Sequence, residues 1–138
     1  MLEQIARKTA ARCAERGIVF AHDLPAQPVQ LAGDPVMFEQ AILNLLDNAL
    51  VHGGPDTRKI DLTARTVDGA LHIMVRDDGK GIPPDAFDRT LERFSQIGAG
   101  TGSGLGLPIA AAVAESFGGR IALANEAGQL SVTLILPM

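Results

Sequence analysis

Two alternating runs in the middle of the chain constrain its fold more than any other feature. Ile60, Leu62 and Ala64 alternate with Asp61, Thr63 and Arg65, and Leu71, Ile73 and Val75 alternate with His72, Met74 and Arg76, with Asp68-Gly69 between the runs. Successive side chains of a strand point to opposite faces, so the pattern is a hairpin with one apolar face and one wet face. The apolar face needs a cover, and helical patterns are available to supply it. Leu2, Ile5, Ala6, Thr9, Ala10 and Cys13 recur at helical spacing and stop at Gly17. Gly33-Asp34-Pro35 offers an N-cap carboxylate followed by a first-turn proline, opening a helix over Pro35–His52 that Gly53-Gly54-Pro55 ends. An alanine-rich helix over about Leu107–Phe117 is capped by Gly118-Gly119.

Short strands are expected at Ile18–Phe20, Pro28–Ala32, Arg120–Asn125 and Leu130–Leu136, the last two turned at Gly128. Strands grouped with helices on one side give an α/β (α+β) two-layer sandwich. Its mixed sheet is mainly antiparallel, with helices packed on one face and water on the other. Residues from about Asp78 to Ser103 are glycine-rich and irregular apart from a short helix near Asp85–Leu91. A stretch of that length inside a compact domain is expected to be a functional lid.

With 138 residues, 46% of them hydrophobic, the chain can bury a core as one domain spanning 1–138. A net charge of −4 argues against a sequence-independent grip on nucleic acid or on anionic lipid, so any anion site must be local. The single cysteine, Cys13, precludes an internal disulfide and reads as a core residue of a protein in a reducing compartment. No run reaches the ~18 apolar residues of a membrane span, and no basic-then-apolar leader opens the chain. A cytoplasmic domain without membrane contact is expected; its parent protein could still be anchored in the inner membrane.

Three features carry chemistry. Gln40, Asn44, Asn48 and His52 fall at i, i+4 steps and form one stripe, opposite a core face of Phe38, Ile42, Leu45 and Ala49. Amides and an imidazole suit a solvated face as well as a lined site, and an asparagine carbonyl can bind a hard cation such as Mg2+. In the hairpin, the period of two that turns Leu71, Ile73 and Val75 inward also turns Asp77 inward, just ahead of Asp78-Gly79-Lys80-Gly81-Ile82-Pro83. Read alone this is a strand-end aspartate before an ordinary turn; at the mouth of a pocket it could accept a hydrogen bond from an exocyclic amine such as adenine N6. Finally, Gly100-Thr101-Gly102-Ser103-Gly104-Leu105-Gly106-Leu107-Pro108 leads into a helix whose free N–H groups suit phosphate, with a flexible hinge as the alternative.

Together and in this order, these features resemble the boxes of the GHKL, or Bergerat-fold, ATPases and kinases. Glu39-Gln40-Ala41-Ile42-Leu43-Asn44-Leu45-Leu46-Asp47-Asn48-Ala49 resembles the N box, and Asp77-Asp78-Gly79-Lys80-Gly81-Ile82-Pro83 the G1 box. Leu91-Glu92-Arg93-Phe94 is similar to the F box and Gly102-Ser103-Gly104-Leu105-Gly106-Leu107 to the G2 box. The resemblance implies an ATP and Mg2+ site in which Asn48 holds the metal and Asp77 reads adenine. The Gly102–Gly106 loop would wrap the phosphates under a lid at about 82–103. It also brings Asn44, His52, Gly79, Lys80, Gly81, Ile82, Phe94, Ser103, Gly104 and Leu105 to the nucleotide.

Within that family the wording is closest to the sensor histidine kinases. Where the hydrolysing members carry a water-activating glutamate this chain has Asn44, and an amide is no general base. The resemblance then implies a catalytic domain that donates the γ-phosphate to a histidine on a separate dimerisation hairpin, with a response regulator downstream. None of His22, expected in a loop, His52 or outward-facing His72 lies in a phosphoacceptor-like helix, and no catalytic residue is assigned. Val51 and Gln96 replace basic residues common in the family, with Lys80, Arg89 or Arg93 as substitutes. The alternatives are a stand-alone serine kinase of the anti-sigma type and a degenerate nucleotide-binding regulatory module.

Overall fold

In the computed structural model, which describes residues 2–25, 31, 33–52, 55–79, 85 and 106–138, the alternating runs organise both layers. Along the chain the elements are α1 (Leu2–Glu15), β1 (Val19–Asp23), α2 (Pro35–His52), β2 (Lys59–Val67), β3 (Ala70–Asp77), α3 (Gly106–Ser116), β4 (Arg120–Glu126) and β5 (Gln129–Pro137). The five strands form one sheet in the order β1-β2-β3-β5-β4. β1 runs parallel to β2, with Phe20 opposite Ile60, and the other three pairings are antiparallel. The mixed, mainly antiparallel sandwich read from the sequence is the fold observed.

Helix boundaries follow their capping residues. The Asp34 carboxylate accepts the Val36 N–H at 2.9 Å, satisfying a first-turn donor that has no partner within α2. At the end of α1 the chain turns through Gly17, and the Ile18 N–H reaches back to the Cys13 carbonyl at 2.9 Å. Cys13 is fully buried, as expected of a core residue, and burial raises its thiol pKa against the lowering charges of Arg12 and Arg16.

One face of the sheet forms the core. Ile60, Leu62, Leu71, Ile73, Val75, Leu130, Val132, Leu134 and Leu136 are all buried, together with Ile42, Leu45 and Leu46 of α2 and Ala110 and Ala114 of α3. The alternate residues Asp61, Thr63, His72, Met74 and Arg76 remain partly exposed on the wet face. An Arg12–Asp47 pair at 2.6 Å and an Arg16 hydrogen bond to the Leu50 carbonyl at 2.9 Å hold α1 against α2. The ion pair is half exposed and contributes at most about 1 kcal/mol; burial of Ile5, Ala6 and Cys13 does more to seat the helix.

Two expectations change. β1 extends to Asp23 instead of stopping at Phe20, so His22 lies in a strand and not in a loop. Parallel pairing with β2 carries the strand onward although its outer side chains are exposed. The strand expected at Pro28–Ala32 falls outside the described residues except for Leu31, which is in no strand. The expected helix near Asp85–Leu91 and the lid at 82–103 likewise lie outside them, apart from Asp85.

Both hairpin turns place two consecutive residues at positive φ, as their right-handed twist requires. Asp68 (φ 49°) and Gly69 (φ 77°) suit this, but the second turn uses Ala127 (φ 51°) before Gly128 (φ 78°). A left-handed alanine costs about 1 kcal/mol, and asparagine tolerates the same conformation better. Ala127→Asn is therefore expected to stabilise the domain by about 0.5–1 kcal/mol in urea unfolding; an unchanged or lower midpoint would show that the turn carries no such strain.

Candidate nucleotide site

Asp77 is the last residue of β3, and its cross-strand partners are Ile60 on one side and Leu130 on the other, both buried. The pleat that turns Val75 into the core therefore turns this carboxylate inward, and Asp77 is only 3% exposed. The Gly79 N–H donates to Asp77 Oδ1 at 2.9 Å, which fixes the side chain and leaves Oδ2 without a partner among the described residues. Burial raises the Asp77 pKa, the neighbouring charge of Asp78 raises it further, and the Gly79 N–H opposes both. A carboxylate held this way is costly in the empty domain and complementary to a hydrogen-bond donor.

Asp78 faces the other way. Its Oδ1 accepts the backbone N–H groups of Arg58 at 2.8 Å and Lys59 at 3.0 Å, and its own N–H donates to the Lys59 carbonyl at 3.4 Å. Against a burial cost that pulls upward, these donors and the charge of Arg58 bring the Asp78 pKa below its ordinary value.

Across the sheet, α2 carries the polar stripe. Gln40 Nε2 donates to Asn44 Oδ1 at 3.1 Å. Asn44 itself is 9% exposed, and its Nδ2 has no hydrogen-bond partner among the described residues. Asn48, one turn on, is half-buried, and His52 is the last residue of α2. Asn44 and Asn48 are thus less solvated than residues of a polar helix face ordinarily are, whereas Gln40 is exposed. Thr57, just after α2, is buried with its hydroxyl unpartnered among the described residues. A buried polar atom left without a partner costs about 1–3 kcal/mol, so each of these two groups would gain from a polar ligand.

Gly79 and Gly106 are described, the latter as the first residue of α3. Lys80, Gly81, Ile82, Phe94, Gly102, Ser103, Gly104 and Leu105 lie outside the described residues, as do Arg89, Arg93 and Gln96. Val51, where a cation was expected to be missing, is 48% exposed on α2. His72 stands on the wet face between Arg65 and Ile135, opposite to the face that carries Asp77.

Sequence reasoning missed two residues of this region. For Asp78, period two predicts only that its side chain leaves the core face that Asp77 joins, and not its bonds to Arg58 and Lys59. Thr57 gives no such signal, since its surroundings read as an ordinary turn.

Comparison with known proteins places the chain among its relatives. Residues 33–138 match the family described as histidine kinase-, DNA gyrase B- and HSP90-like ATPase. The sensor protein CreC of Escherichia coli (strain K12) is 35% identical over 136 residues, covering 95% of this chain and 28% of CreC. The structure of the mycobacterial sensor histidine kinase MprB superposes with a TM-score of 0.77 at 28% identity, covering 99% of this chain and 95% of that one. Full-length ShkA, solved in complex with AMPPNP, gives a TM-score of 0.77 at 29% identity, over 99% of this chain and 30% of ShkA. The chain spans little more than a quarter of the length of the curated relatives TcrY and CreC.

The buried carboxylate has a consequence for stability. Because the folded-state pKa of Asp77 is raised, the group's contribution is fully present below its unfolded value near 3.8 and is lost as pH rises through the folded value. Asp77→Asn keeps an oxygen for the Gly79 N–H and removes the charge. At pH 7 the ligand-free variant is expected to be more stable than the parent by roughly 0.5–2 kcal/mol, the gap closing as pH falls toward 4. Thermal unfolding across pH tests this, and a variant less stable at pH 7 would contradict it.

Proposed function

Because the chain belongs to the family of histidine kinase-, DNA gyrase B- and HSP90-like ATPases, we propose that it is the Mg–ATP-binding catalytic domain of a two-component sensor histidine kinase. In this reading it hands the γ-phosphate of ATP to a histidine on a separate dimerisation hairpin, from which a response regulator takes it. One observation carries the assignment: a nearly fully buried carboxylate, Asp77, with one oxygen spent on Gly79 and the other open among the described residues. An adenine amine supplies the donor that this oxygen lacks. The relatives TcrY, named a probable sensor histidine kinase, and CusS, named a sensor histidine kinase, support the choice of subfamily.

The remaining roles follow the chemistry of the side chains. Among the described residues no three His, Cys, Asp or Glu side chains cluster to hold a cation. A metal that travels with a triphosphate needs no such cage, because phosphate and water fill most of its positions. The half-buried Asn48 amide fits as its one protein ligand, and Mg2+ would there neutralise charge on the phosphates. Asn44, whose oxygen already accepts from Gln40, would offer its unpartnered N–H to the ligand. His52, at the end of α2, belongs on the phosphate side. Gly79, Lys80, Gly81 and Ile82 would line the base. Phe94 would stand in a lid over about 82–103, and Gly102, Ser103, Gly104, Leu105 and Gly106 would wrap the phosphates at the start of α3, where unpaired N–H groups favour anions. The domain would act in the cytoplasm, where ATP is available, without itself contacting a membrane; among the described residues no helix is long and apolar enough to cross one.

Base and metal recognition are separable. Calorimetry should detect Mg-dependent ATP binding, with Asp77→Asn costing roughly 1.5–3 kcal/mol whether or not Mg2+ is present. Asn48→Ala should erase most of the Mg-dependent part only. Identical behaviour of the two variants with and without metal contradicts these roles, and no binding at millimolar Mg–ATP leaves a degenerate regulatory module as the better reading.

Phosphoryl transfer should need a second component. Bound ATP is inert until an imidazole lies in line with its γ-phosphate, and catalysis of this kind is mostly positioning. His22 sits in edge strand β1 and His72 on the wet face, away from the Asp77 side. Incubated as 138 residues with labelled Mg–ATP, the protein should neither phosphorylate itself nor turn over ATP appreciably; adding a phosphoacceptor hairpin should yield phosphohistidine on the hairpin. Stoichiometric phosphate on His22, His52 or His72, read by mass spectrometry, would overturn this, and rapid hydrolysis would point to the ATPase branch.

A further inference from the structure

A carboxylate can read a base only if it is held within a few tenths of an ångström of its working position, which requires support from residues that do not touch the ligand. Asp77 has one direct support, the Gly79 N–H at 2.9 Å, and that bond exists only while the chain leaving β3 turns in one particular way. Asp78 is the residue between them. Its carboxylate accepts two backbone N–H groups, Arg58 at 2.8 Å and Lys59 at 3.0 Å, and its own N–H donates to the Lys59 carbonyl at 3.4 Å. Hydrogen bonds from neutral donors to a charged oxygen are among the stronger ones available to a protein. They join the first residues past β3 to the residues that lead into β2, on the connection that descends from α2. The bonds are to backbone; the Lys59 ammonium lies instead 3.8 Å from the Asp61 carboxylate. The same connection is tied to the body of the domain by Thr57, which is buried between exposed neighbours, and by the entry of Lys59 into β2.

We infer that Asp78 is a positioning residue for base recognition: by clamping the turn after β3 to the backbone of Arg58 and Lys59, it fixes the direction in which Asp77 presents its open oxygen. This rests on the adenine reading proposed above. It makes base selectivity depend on a side chain that points away from the base, and it ties that selectivity to the segment following the α2 stripe.

The test compares ADP with IDP, whose base carries a carbonyl where adenine carries the amine, in calorimetric titrations of the purified chain at saturating Mg2+. The parent should prefer ADP. Asp78→Asn, whose amide oxygen can accept the same two N–H groups, should keep that preference within about threefold, whereas Asp78→Ala should lower it by about tenfold or more through weaker ADP binding, with IDP affinity little changed. Thermal unfolding establishes that each variant is folded. If the alanine variant does not fold, Asp78→Ser replaces it; its hydroxyl reaches at most one of the two amides, and the ADP preference must still fall by about threefold or more. An undiminished preference in a folded Ala or Ser variant overturns the inference, as does equal weakening of ADP and IDP, which a merely structural residue would produce. A parent protein without any preference for ADP would refute the adenine reading itself, a distinct result visible before any variant is made.

Discussion

The cost of keeping one charge inside the sandwich explains more of this structure than any other single term. Strand β3 delivers Leu71, Ile73 and Val75 to the core and, by the same pleat, delivers Asp77. An isolated buried carboxylate is unfavourable, and among the described residues one N–H, from Gly79, relieves it in part. The core that stabilises the sheet is therefore also what desolvates the Asp77 carboxylate. A water-excluded, half-satisfied acceptor discriminates strongly between ligands that carry a donor and ligands that do not, because a missing partner leaves it uncompensated.

The rest of the architecture serves that position. α2 crosses from the edge strand β1 to β2, which allows these two strands to run parallel, and it lays its apolar residues on the sheet while its amides run along one side. Its descent ends in the segment clamped by Asp78, so helix and strand meet the same corner from two directions. Asn44 Nδ2 on the helix and Thr57 Oγ1 on the connection below it have no hydrogen-bond partner among the described residues. Natural domains tolerate such atoms where a ligand completes them.

How much of this was legible beforehand depended on whether local signals or long-range pairings decided each element. Asp34-Pro35 and Gly17 bound their helices as capping chemistry demands, and the period-two runs announced both the hairpin and the inward Asp77. β1 was read short because its side chains are mostly exposed and do not alternate; only its partner strand reveals it, and with it the place of His22. The Asp78 clamp joins residues about twenty positions apart, which no local pattern encodes. The Gln40–Asn44 bond was implicit in the i, i+4 spacing, but not which amide would be left with a free donor. Past Gly79, the glycine run before α3 read as a phosphate-suited helix start while its place in a nucleotide site came only through resemblance, and apart from Gly106 its glycines lie beyond the described residues.

The central claim is that Asp77 reads the adenine amine from the helix-covered side of the sheet. A crystal structure of this chain with a non-hydrolysable ATP analogue and Mg2+ measures it most directly. The account predicts the exocyclic nitrogen about 2.7–3.2 Å from Asp77 Oδ2, with Gly79 still donating to Oδ1. A nucleotide bound on the wet face near His72, or a base whose amine contacts no oxygen of Asp77, would contradict it.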